Sequence, residues 1–424
     1  MKRLHLTITA QAALAIGQRK PGGSVSEAMD YIPGSAIRGA IAAQILQAAQ
    51  ATAQISSTSA DHNQTGDSFQ ALFLDQTAAV FQNAYPAIAK LEDDRYETRT
   101  NVHLLPTTAL SSKTNSGFKP TKSGVFDSLI DGFCARAQGL SYEPNDLTGD
   151  RVEPFSGFYS QTKQQYCSHT VSKRLLTRVG INRRRATAQE EILYSIEVLD
   201  EVQGKRQPHP AVYHGSILIQ DDELASQLQQ FIDHRQQFRL GGATSRGLGK
   251  VEIAVKLEDL PDQTDVVKRR IDSFNEAMGD RWKHWSVFGA AAVNAIAEQT
   301  FFTVNLLSDA VLSENWQRTM VISEAMLRQF VGLDPSANNS LTLHTAYSSY
   351  DYRSGWNAAW GLPKDLELVT KMGGVYLFST RHPEQWYEKL AELELLGVGD
   401  RTSEGFGQIR VCDEFHSVFR ECAV

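Results

Sequence analysis

The sequence has few cysteines and none of the common nucleotide-binding or hydrolase motifs. Its four cysteines show no CxxC spacing, which argues against a zinc ribbon and against a disulfide framework. Walker, HExxH and GxSxG motifs are also absent, so nothing in the sequence suggests a P-loop ATPase, a zinc protease or a serine hydrolase. We therefore expect no metal site and no cofactor.

The sequence also lacks the features of a membrane or secreted protein. No apolar run approaches the ~20 residues that a membrane span needs. The N-terminal Met1-Lys2-Arg3 leads straight into an alternating strand, so we expect no secretory signal, a cytoplasmic protein and no membrane partner. With 424 residues, 42% hydrophobic and 21% charged, the chain belongs to the soluble globular class and is long enough for two domains.

Positive charge is concentrated in one segment of an acidic protein. The net charge of −7 gives no overall argument for nucleic-acid binding. Between positions 151 and 185, however, eight basic residues accompany a single acid, Glu153. Such a local excess is typical of a polyanion-binding face, and a solvated basic surface is the alternative. The eight are Arg151, Lys163, Lys173, Arg174, Arg178, Arg183, Arg184 and Arg185.

A glycine-rich loop occurs twice, at 240–251 and 398–409, with an offset of 158 residues throughout. Both copies share the spacing of three glycines, a serine and a charged residue, which indicates an internal duplication. An alternating strand opens each half, and Leu4 lies 243 residues before Gly247 whereas Phe302 lies only 103 before Gly405. We infer that the N-terminal half is the same unit with a large insertion.

These patterns predict an α+β protein with two ferredoxin-like domains, the first with a large loop-rich insertion. The C-terminal half follows the order β-α-β-α-β, which is typical of the ferredoxin-like arrangement also used by RNA-recognition domains. We predict an N-terminal domain over 1–260, with an insertion at about 50–175 that lies on this domain. A helical connection over 261–299 and a C-terminal domain over 300–424 follow.

Five stretches of the sequence match one family in the expected order. They are YIPGSAIRGAIA (31–42), LPTTALSSKTNSGF (105–118), VGINRRRATAQEEILYSIEVL (179–199), LGGATSRGLGKV (240–251), and GWNAAWGLPK (355–364) followed by GGVYLF (373–378). The first, third and fourth resemble the RAMP superfamily of CRISPR-associated proteins. The second and fifth are similar to the double-RAMP subunit of type III effector complexes, above all the subtype III-D form, the Csx-ten family.

The resemblance implies a role in RNA-guided antiviral defence. It implies two ferredoxin-like RAMP domains and binding of the 5′ handle of a CRISPR RNA (crRNA), as in Cas-five-like subunits. It also implies a ribonucleoprotein in which this chain contacts other RAMP backbone subunits and the large polymerase-like subunit, and meets target RNA indirectly.

The two glycine loops are the first candidate RNA contacts. Glycine lets backbone N–H groups approach phosphates closely. The first loop combines Gly247 and Gly249 with two cations, Arg246 and Lys250, so we expect RNA contact mainly there. The alternative is a tight turn that needs glycine geometry only. The second loop has Glu404 in place of Arg246, and its candidate contacts are Arg401, Gly405 and Gly407.

Two further groups are candidate RNA contacts. Gly34 and Ser35 begin a predicted helix, whose free N–H groups suit a phosphate, and Arg38 lies one turn later. An ordinary helix cap is the alternative. The basic cluster Lys173, Arg174, Arg178, Arg183 and Arg184 would grip an RNA backbone. Tyr159, Tyr166 and His169 could stack on bases or simply pack within the insertion.

Catalysis has weak support in the sequence, so we expect a binding subunit without chemistry of its own. Some RAMP proteins process precursor RNA with a histidine, for which His169 and His5 are candidates. Others cut target RNA with an aspartate that follows Gly-Gly, but here Ser24 follows Gly22-Gly23 and leaves Asp30 as the candidate. A RAMP endoribonuclease that processes precursor crRNA or cuts target RNA is the alternative function.

Overall fold

The computed structural model describes residues 1–18, 27–55, 66–75, 77–90, 96–162, 165–182, 187–204, 208–287, 289, 296–333, 340–357 and 362–424. These residues form a mixed α and β fold rich in sheet, which confirms the predicted mixture of element types. No helix in these ranges is long and apolar enough to cross a membrane.

The helices begin with ordinary capping chemistry. The Asp221 side chain accepts a 2.8 Å hydrogen bond from the Leu224 amide and begins the helix that the apolar spacing predicts over 221–238. The helix ends earlier than predicted, at Arg235, and Phe238 lies in a short strand. The Ser323 hydroxyl accepts a 3.1 Å bond from the Met326 amide and caps the helix predicted over 323–331. The α-helices are α1 (Gly34–Ile55), α2 (Gly66–Phe73), α3 (Leu129–Ala137), α4 (Asp222–Arg235), α5 (Thr264–Ser286), α6 (Glu324–Phe330) and α7 (Tyr387–Leu396).

Most strands of the described residues are short, and they form a six-stranded sheet, a four-stranded sheet, a five-stranded sheet, a three-stranded sheet and several two-stranded hairpins. The strands of the first half are β1 (Lys2–Ala10), β2 (Gly17–Gln18), β3 (Glu27–Ala28), β4 (Ala79–Phe81), β5 (Tyr85–Pro86), β6 (Ile88–Lys90), β7 (Tyr96–Thr98), β8 (His103–Leu104), β9 (Ala109–Ser112), β10 (Val125–Asp127), β11 (Val152–Pro154), β12 (Phe158–Thr162), β13 (Gln165–His169), β14 (Lys173–Asn182), β15 (Thr187–Leu199), β16 (Val202–Gln203), β17 (His209–Pro210), β18 (Val212–Ile219), β19 (Gln237–Arg239) and β20 (Lys250–Asp259). Those of the second half are β21 (Thr300–Leu306), β22 (Ser313–Glu314), β23 (Gln317–Arg318), β24 (Thr342–Tyr347), β25 (Tyr350–Arg353), β26 (Trp356–Asn357), β27 (Leu362–Pro363), β28 (Glu367–Thr370), β29 (Val375–Thr380) and β30 (Ile409–Val411).

The N-terminal unit is an antiparallel sheet in the order β20-β1-β18-β4, packed against helices. In the chain, α1 lies between β1 and β4, and α4 lies between β18 and β20. This combination of chain order and sheet order is the ferredoxin-like one. Leu4, Leu6 and Ile8 are fully buried in its core because alternate side chains of β1 face the helices.

The C-terminal unit repeats this arrangement. Its sheet has the order β24-β29-β21-β30, with α6 between β21 and β24 and α7 between β29 and β30 in the chain. Phe302, Val304 and Leu306 of the central strand are buried in a second core, to which α5 also contributes. The domain boundaries near 260 and 300 stay a prediction.

The repeat also includes two hairpins that the sequence analysis did not match to each other. A short hairpin follows the first strand of each unit, β2–β3 in one and β22–β23 in the other. A longer hairpin precedes the third sheet strand of each unit: β14–β15, here called the N-terminal arm, and β25–β28, the C-terminal arm. Bridges at equivalent places, Leu14 to Leu199 and Ala310 to Thr370, join each arm to its unit.

Part of the insertion packs on the C-terminal unit, and the expectation that the insertion lies on the N-terminal domain is wrong for this part. The buried carboxylate of Asp131 in α3 accepts two bonds of 2.6 and 2.8 Å from the Arg281 guanidinium of α5. Val125 and Val424 exchange backbone hydrogen bonds of 2.8 and 3.0 Å. The local pattern of the insertion could not reveal these contacts, because their partners lie far away in the sequence.

The two units meet where α1 begins. The Gly34 amide donates a 2.8 Å hydrogen bond to Asn83 Oδ1. The second glycine loop covers this point, and a Cβ on Gly405 would lie 2.7 Å from the Phe81 carbonyl oxygen and 3.2 Å from the Gly34 Cα. A Cβ on Gly34 would overlap the same Phe81 oxygen and lie 2.9 Å from the Glu404 carbonyl oxygen. Glycine is required here because two backbones approach closely.

We predict that Gly34→Ala destabilises the protein by about 1–3 kcal/mol, because the added methyl forces the two backbones apart. Gly39→Ala is the matched control in the same helix, where a Cβ meets no atom within 4 Å. It should leave stability unchanged or raise it by up to about 1 kcal/mol through helix propensity. Thermal unfolding of the full chain compares them, and equal midpoints would contradict the close-contact interpretation.

Candidate nucleic-acid interface

The two glycine loops have the same backbone structure. Each contains one 3₁₀ turn, at Thr244–Arg246 and Thr402–Glu404, preceded by a residue with positive φ, Ala243 or Arg401. Each loop also pairs with the segment that follows the first strand of its unit. Within each loop, the Leu240 amide donates to the Gly249 carbonyl, and the Val398 amide donates to the Gly407 carbonyl in the same way. Between loop and segment, the bonds from Gly242 to Ala15 and from Gly249 to Ala13 correspond to those from Asp400 to Val311 and from Gly407 to Asp309. All six bonds are 2.8 or 2.9 Å long. These contacts confirm the predicted duplication of the loop.

The surroundings of the two loops differ. Ser245 and Gly247 of the first loop are exposed, whereas their equivalents Ser403 and Gly405 are buried. The second loop is covered by the N-terminal unit, since its 3₁₀ turn packs on β4 and on the start of α1. The second loop therefore fits the alternative interpretation, a tight turn that needs glycine only for its backbone geometry. In this loop Gly407 closes the turn, and Gly405 lies at the contact between the two units.

Ion pairs neutralise the cations of the second loop. The Arg401 guanidinium bonds to Glu404 at 2.6 Å and to Glu367 of the C-terminal arm. Lys364 of the same arm lies 3.2 Å from Glu404, and Arg318 lies 3.0 Å from Asp400. Burial alone would lower the pKa of Arg401, but the two glutamates outweigh it and raise that pKa. Arg401 is therefore held as an internal partner and is poorly placed to receive a phosphate.

The first loop presents its cations beside an aromatic ring. The Arg246 guanidinium donates a hydrogen bond to the Tyr194 hydroxyl, and its central carbon lies 5.6 Å from the centre of that ring. Tyr194 belongs to the N-terminal arm, where Arg178 is its direct cross-strand partner. Lys250 begins β20 and is the cross-strand partner of Arg239.

We call these five residues (Arg178, Tyr194, Arg239, Arg246 and Lys250) the arm cluster. Among the described residues, no carboxylate forms an ion pair with any of its four cations. Arg239 also donates to the backbone carbonyls of Thr244 and Leu248, at 3.2 and 3.3 Å, and so braces the first loop from beneath. In this cluster Arg246 is held against the half-exposed Tyr194 ring and Arg239 against the loop carbonyls, and its four cations have no carboxylate partner in the part of the chain that the structure describes.

Of the other cations in the predicted RNA-binding cluster, Lys173 and Arg174 are paired, and Arg183 and Arg184 are not described. Lys173 at the base of the arm lies 2.7 Å from Asp30 and donates a 2.6 Å bond to the Ala28 carbonyl. Arg174 lies 2.9 Å from Asp200 and 3.0 Å from Glu201. Arg183 and Arg184, with Gly22, Gly23 and Ser24, lie outside the described residues.

The start of α1 is occupied by protein partners. The Gly34 amide is bonded to Asn83, as described above, and Ser35 is half-buried beside it. Arg38 donates to the Phe73 carbonyl oxygen and lies over the Phe73 ring, and burial lowers its pKa. A phosphate at this helix start would have to displace these contacts, so the ordinary-cap alternative fits the geometry better.

The aromatic residues of the insertion pack together. Tyr159 and Tyr166 stack with ring centres 6.0 Å apart, and Phe118 stacks on Tyr166 at 5.7 Å. Phe415, close to the C-terminus, lies 5.3 Å from Tyr159. These contacts fit the interpretation that Tyr159 and Tyr166 pack inside the protein, and not the one in which they stack on RNA bases. His169 is 3% exposed and shares a 2.8 Å hydrogen bond with the Ser160 hydroxyl.

His169 and Asp30, the two catalytic candidates, lie in surroundings that do not favour acid–base catalysis. Burial lowers the pKa of His169 to about 4, so its imidazole is neutral near pH 7 and hidden from a large substrate. Asp30 is 61% exposed, but Lys173 lies against its carboxylate. The side-chain bonding partners of these two residues among the described residues are the Ser160 hydroxyl for His169 and the Lys173 ammonium for Asp30.

Sequence reasoning missed three residues that organise this surface. Tyr194 was included only in a strand, although its position opposite Arg178 in a hairpin was a usable signal. Arg239 precedes the first loop and could have been included with it. Asn83 had no local signal at all, since its role depends on Gly34, a residue 49 positions earlier.

No protein-family model and no curated protein sequence matches the chain. Among solved structures, it is similar to a chain of the type III-B Cmr-beta complex bound to cognate target RNA and AMPPnP, with 13% identity over 89% of this chain and 86% of that chain and a TM-score of 0.38. It is also similar to oligomeric Cmr4 from Pyrococcus furiosus, with 11% identity over 61% of this chain and 99% of that chain and a TM-score of 0.26. A third similar structure is a CRISPR-associated protein Cas6, with 7% identity over 96% of this chain and 98% of that chain and a TM-score of 0.32. None of these similarities is close enough to assign the chain to a family.

We predict that His169 makes the protein sensitive to acid. In the unfolded chain its pKa returns to about 6.5, whereas in the folded chain it is about 4. As the pH falls from 6.5 to 4, the unfolded state binds the additional proton, so the free energy of unfolding decreases by up to about 3 kcal/mol.

His169→Gln can keep the bond to Ser160 and does not titrate, so its urea-unfolding midpoint should fall less steeply between pH 7 and pH 4. Other buried histidines contribute equally to both proteins, and the difference in slope isolates His169. Identical slopes would show that His169 titrates normally.

Proposed function

We propose that this chain is a non-catalytic RNA-binding subunit of a type III CRISPR effector complex. In this proposal it holds the 5′ handle of the crRNA and contacts neighbouring RAMP subunits and the large subunit. The observation that carries RNA binding is the arm cluster, in which Arg246 lies on Tyr194 and no described carboxylate pairs with the cations.

The chemistry of the arm cluster suits single-stranded RNA. Unpaired cations attract phosphates without reading their sequence. A tyrosine beside an arginine offers a flat surface on which a base can stack. Because Arg239 braces the loop that carries Arg246, the cation is held in position before RNA arrives, which lowers the entropy lost on binding.

The divergence of the two loops also supports this choice. The second loop has the same backbone, yet Arg401, Glu404, Glu367 and Lys364 neutralise one another. Only the first loop is exposed and carries unpaired charge among the described residues. The crRNA handle, the type III-D subtype and the identity of the partners come from the family resemblance, and they are part of the proposal on that ground.

The alternative function, an endoribonuclease, finds no favourable geometry. His169 is buried and Asp30 faces Lys173. We therefore assign RNA retention to this chain and no cutting.

We predict that Arg246→Ala weakens binding of a crRNA carrying its repeat-derived 5′ tag by about tenfold and reduces the salt dependence by about one phosphate contact. Arg235→Ala removes an equally exposed arginine from α4 of the same unit and is the control. Fluorescence anisotropy of labelled RNA over a series of salt concentrations measures both effects. Equal affinities for the two variants would contradict the assignment to the arm cluster.

We predict that the purified chain leaves precursor crRNA and target RNA intact, with or without Mg²⁺, because His169 is buried and the Asp30 carboxylate is held by Lys173. Denaturing gels of end-labelled RNA measure this. Cleavage by the wild type that is lost in Asp30→Asn or His169→Gln would establish the nuclease function instead.

A further inference from the structure

The second glycine loop is a docking element within this chain. Its turn packs on β4 and on the first residues of α1, where Gly405 approaches the backbone of Gly34. The contact joins different surfaces of two similar units: the glycine loop of one unit meets the helix start of the other. A contact between two different surfaces is heterologous and does not close on itself. The glycine loop of the other unit is therefore left unused, without a helix start to contact among the described residues of this chain.

The unused loop is the first one, and its docking surface is open. A Cβ on Gly247 would meet no atom within 4 Å, although Gly247 has nearly the same φ as Gly405, +85° against +92°. Ser245 is exposed, whereas its equivalent Ser403 is 6% exposed. The first loop thus has the backbone of a docked loop without the surface that would cover it.

We propose that the first glycine loop docks, through its backbone around Gly247, onto the first-helix start of a ferredoxin-like unit in another protein chain. This inference rests on the proposed function only in that it requires a multisubunit complex. It continues an interface that the chain already contains, with the same loop geometry on one side and a glycine-initiated helix on the other.

The partner must be a different protein from this one. In every copy of this chain, the Gly34 site is filled by the copy's own second loop. The corresponding helix start of the C-terminal unit carries Glu324 in place of Gly34. The hydroxyl of Ser323, which caps that helix, is engaged with the Met326 amide and with Glu314. Among the described residues, a second copy therefore offers no equivalent open site.

Docking leaves the arm cluster available for RNA. At the equivalent position of the second loop, the Glu404 backbone faces Gly34 while the Glu404 side chain reaches Lys364 of its own arm. In the first loop, the Arg246 side chain likewise reaches Tyr194 of its own arm. The backbone of the loop would thus face the neighbour, and the side chain would remain on the arm.

Gly247→Asn tests this docking. Asparagine tolerates positive φ, and the open space around Gly247 accommodates its side chain in the isolated protein. Gly149→Asn is the control, because Gly149 has φ +92° and equally open surroundings elsewhere on the surface. Each full-length variant is co-expressed with the gene products encoded next to this chain, and the complexes are purified through this chain.

We expect Gly247→Asn to reduce recovery of the adjoining subunit by about tenfold or more, the effect of losing a central contact. Arg246→Ala keeps the loop backbone and removes only a cation of the arm cluster, so it should leave recovery within about twofold of the wild-type value while it weakens binding of tagged crRNA. Gly149→Asn should change neither quantity. Unchanged recovery with Gly247→Asn would overturn the inference, with or without a loss of RNA binding.

A photo-crosslinking residue in place of Ser245 identifies the contact directly. The expected product joins Ser245 to the first-helix start, or to the adjoining edge strand, of a ferredoxin-like subunit. Crosslinks to RNA alone, to another element, or to nothing would overturn the inference. Failure of the proposed function is separate from this result, since it would appear as no retention of crRNA by the wild-type chain.

Discussion

The direct approach of two backbones at Gly34 and Gly405 determines how the two units of this protein are joined. Side chains at either position would collide with main-chain atoms of Phe81 or Glu404. Polar contacts along the same junction depend on this approach, including the 2.7 Å bond from the Tyr85 hydroxyl to the Leu307 carbonyl and the 3.3 Å bond from Arg353 to the Tyr31 hydroxyl. Because the junction excludes Cβ atoms, it has little tolerance for substitution.

The two glycine loops have the same backbone structure in different surroundings. Both glycine loops keep the hydrogen bonds that define their shape. The second loop is buried, and its charges are compensated, as burial of charge requires. The first loop is exposed, so its cations need no internal partner and remain available to a polyanion. The physical difference between the loops is thus one of solvent exposure and not of fold.

Elements with a local periodic signal were predictable from the sequence. The alternating strands β1 and β21, the helices after Asp221 and Ser323, and the two glycine loops all lie where their patterns place them. The packing of α3 on α5 and the role of Asn83 were not predictable, because each depends on a partner far away in the chain. The stretch 179–199 resembles part of the RAMP superfamily, but its place in a hairpin equivalent to the C-terminal arm required the bridges at Leu199 and Thr370.

By itself, the sequence determined the α+β composition, the duplication and the segment in which positive charge is concentrated, since these follow from short-range periodicity and spacing. Only the tertiary structure decided which of the candidate cations have a carboxylate partner among the described residues. Lys173 and Arg174 find carboxylates that folding brings to within about 3 Å, and Arg401 bonds to Glu367 of the C-terminal arm. Arg246 finds the ring of Tyr194 instead. Electrostatic interactions at such distances depend on contacts between residues that are remote in the chain, and a linear pattern cannot encode them.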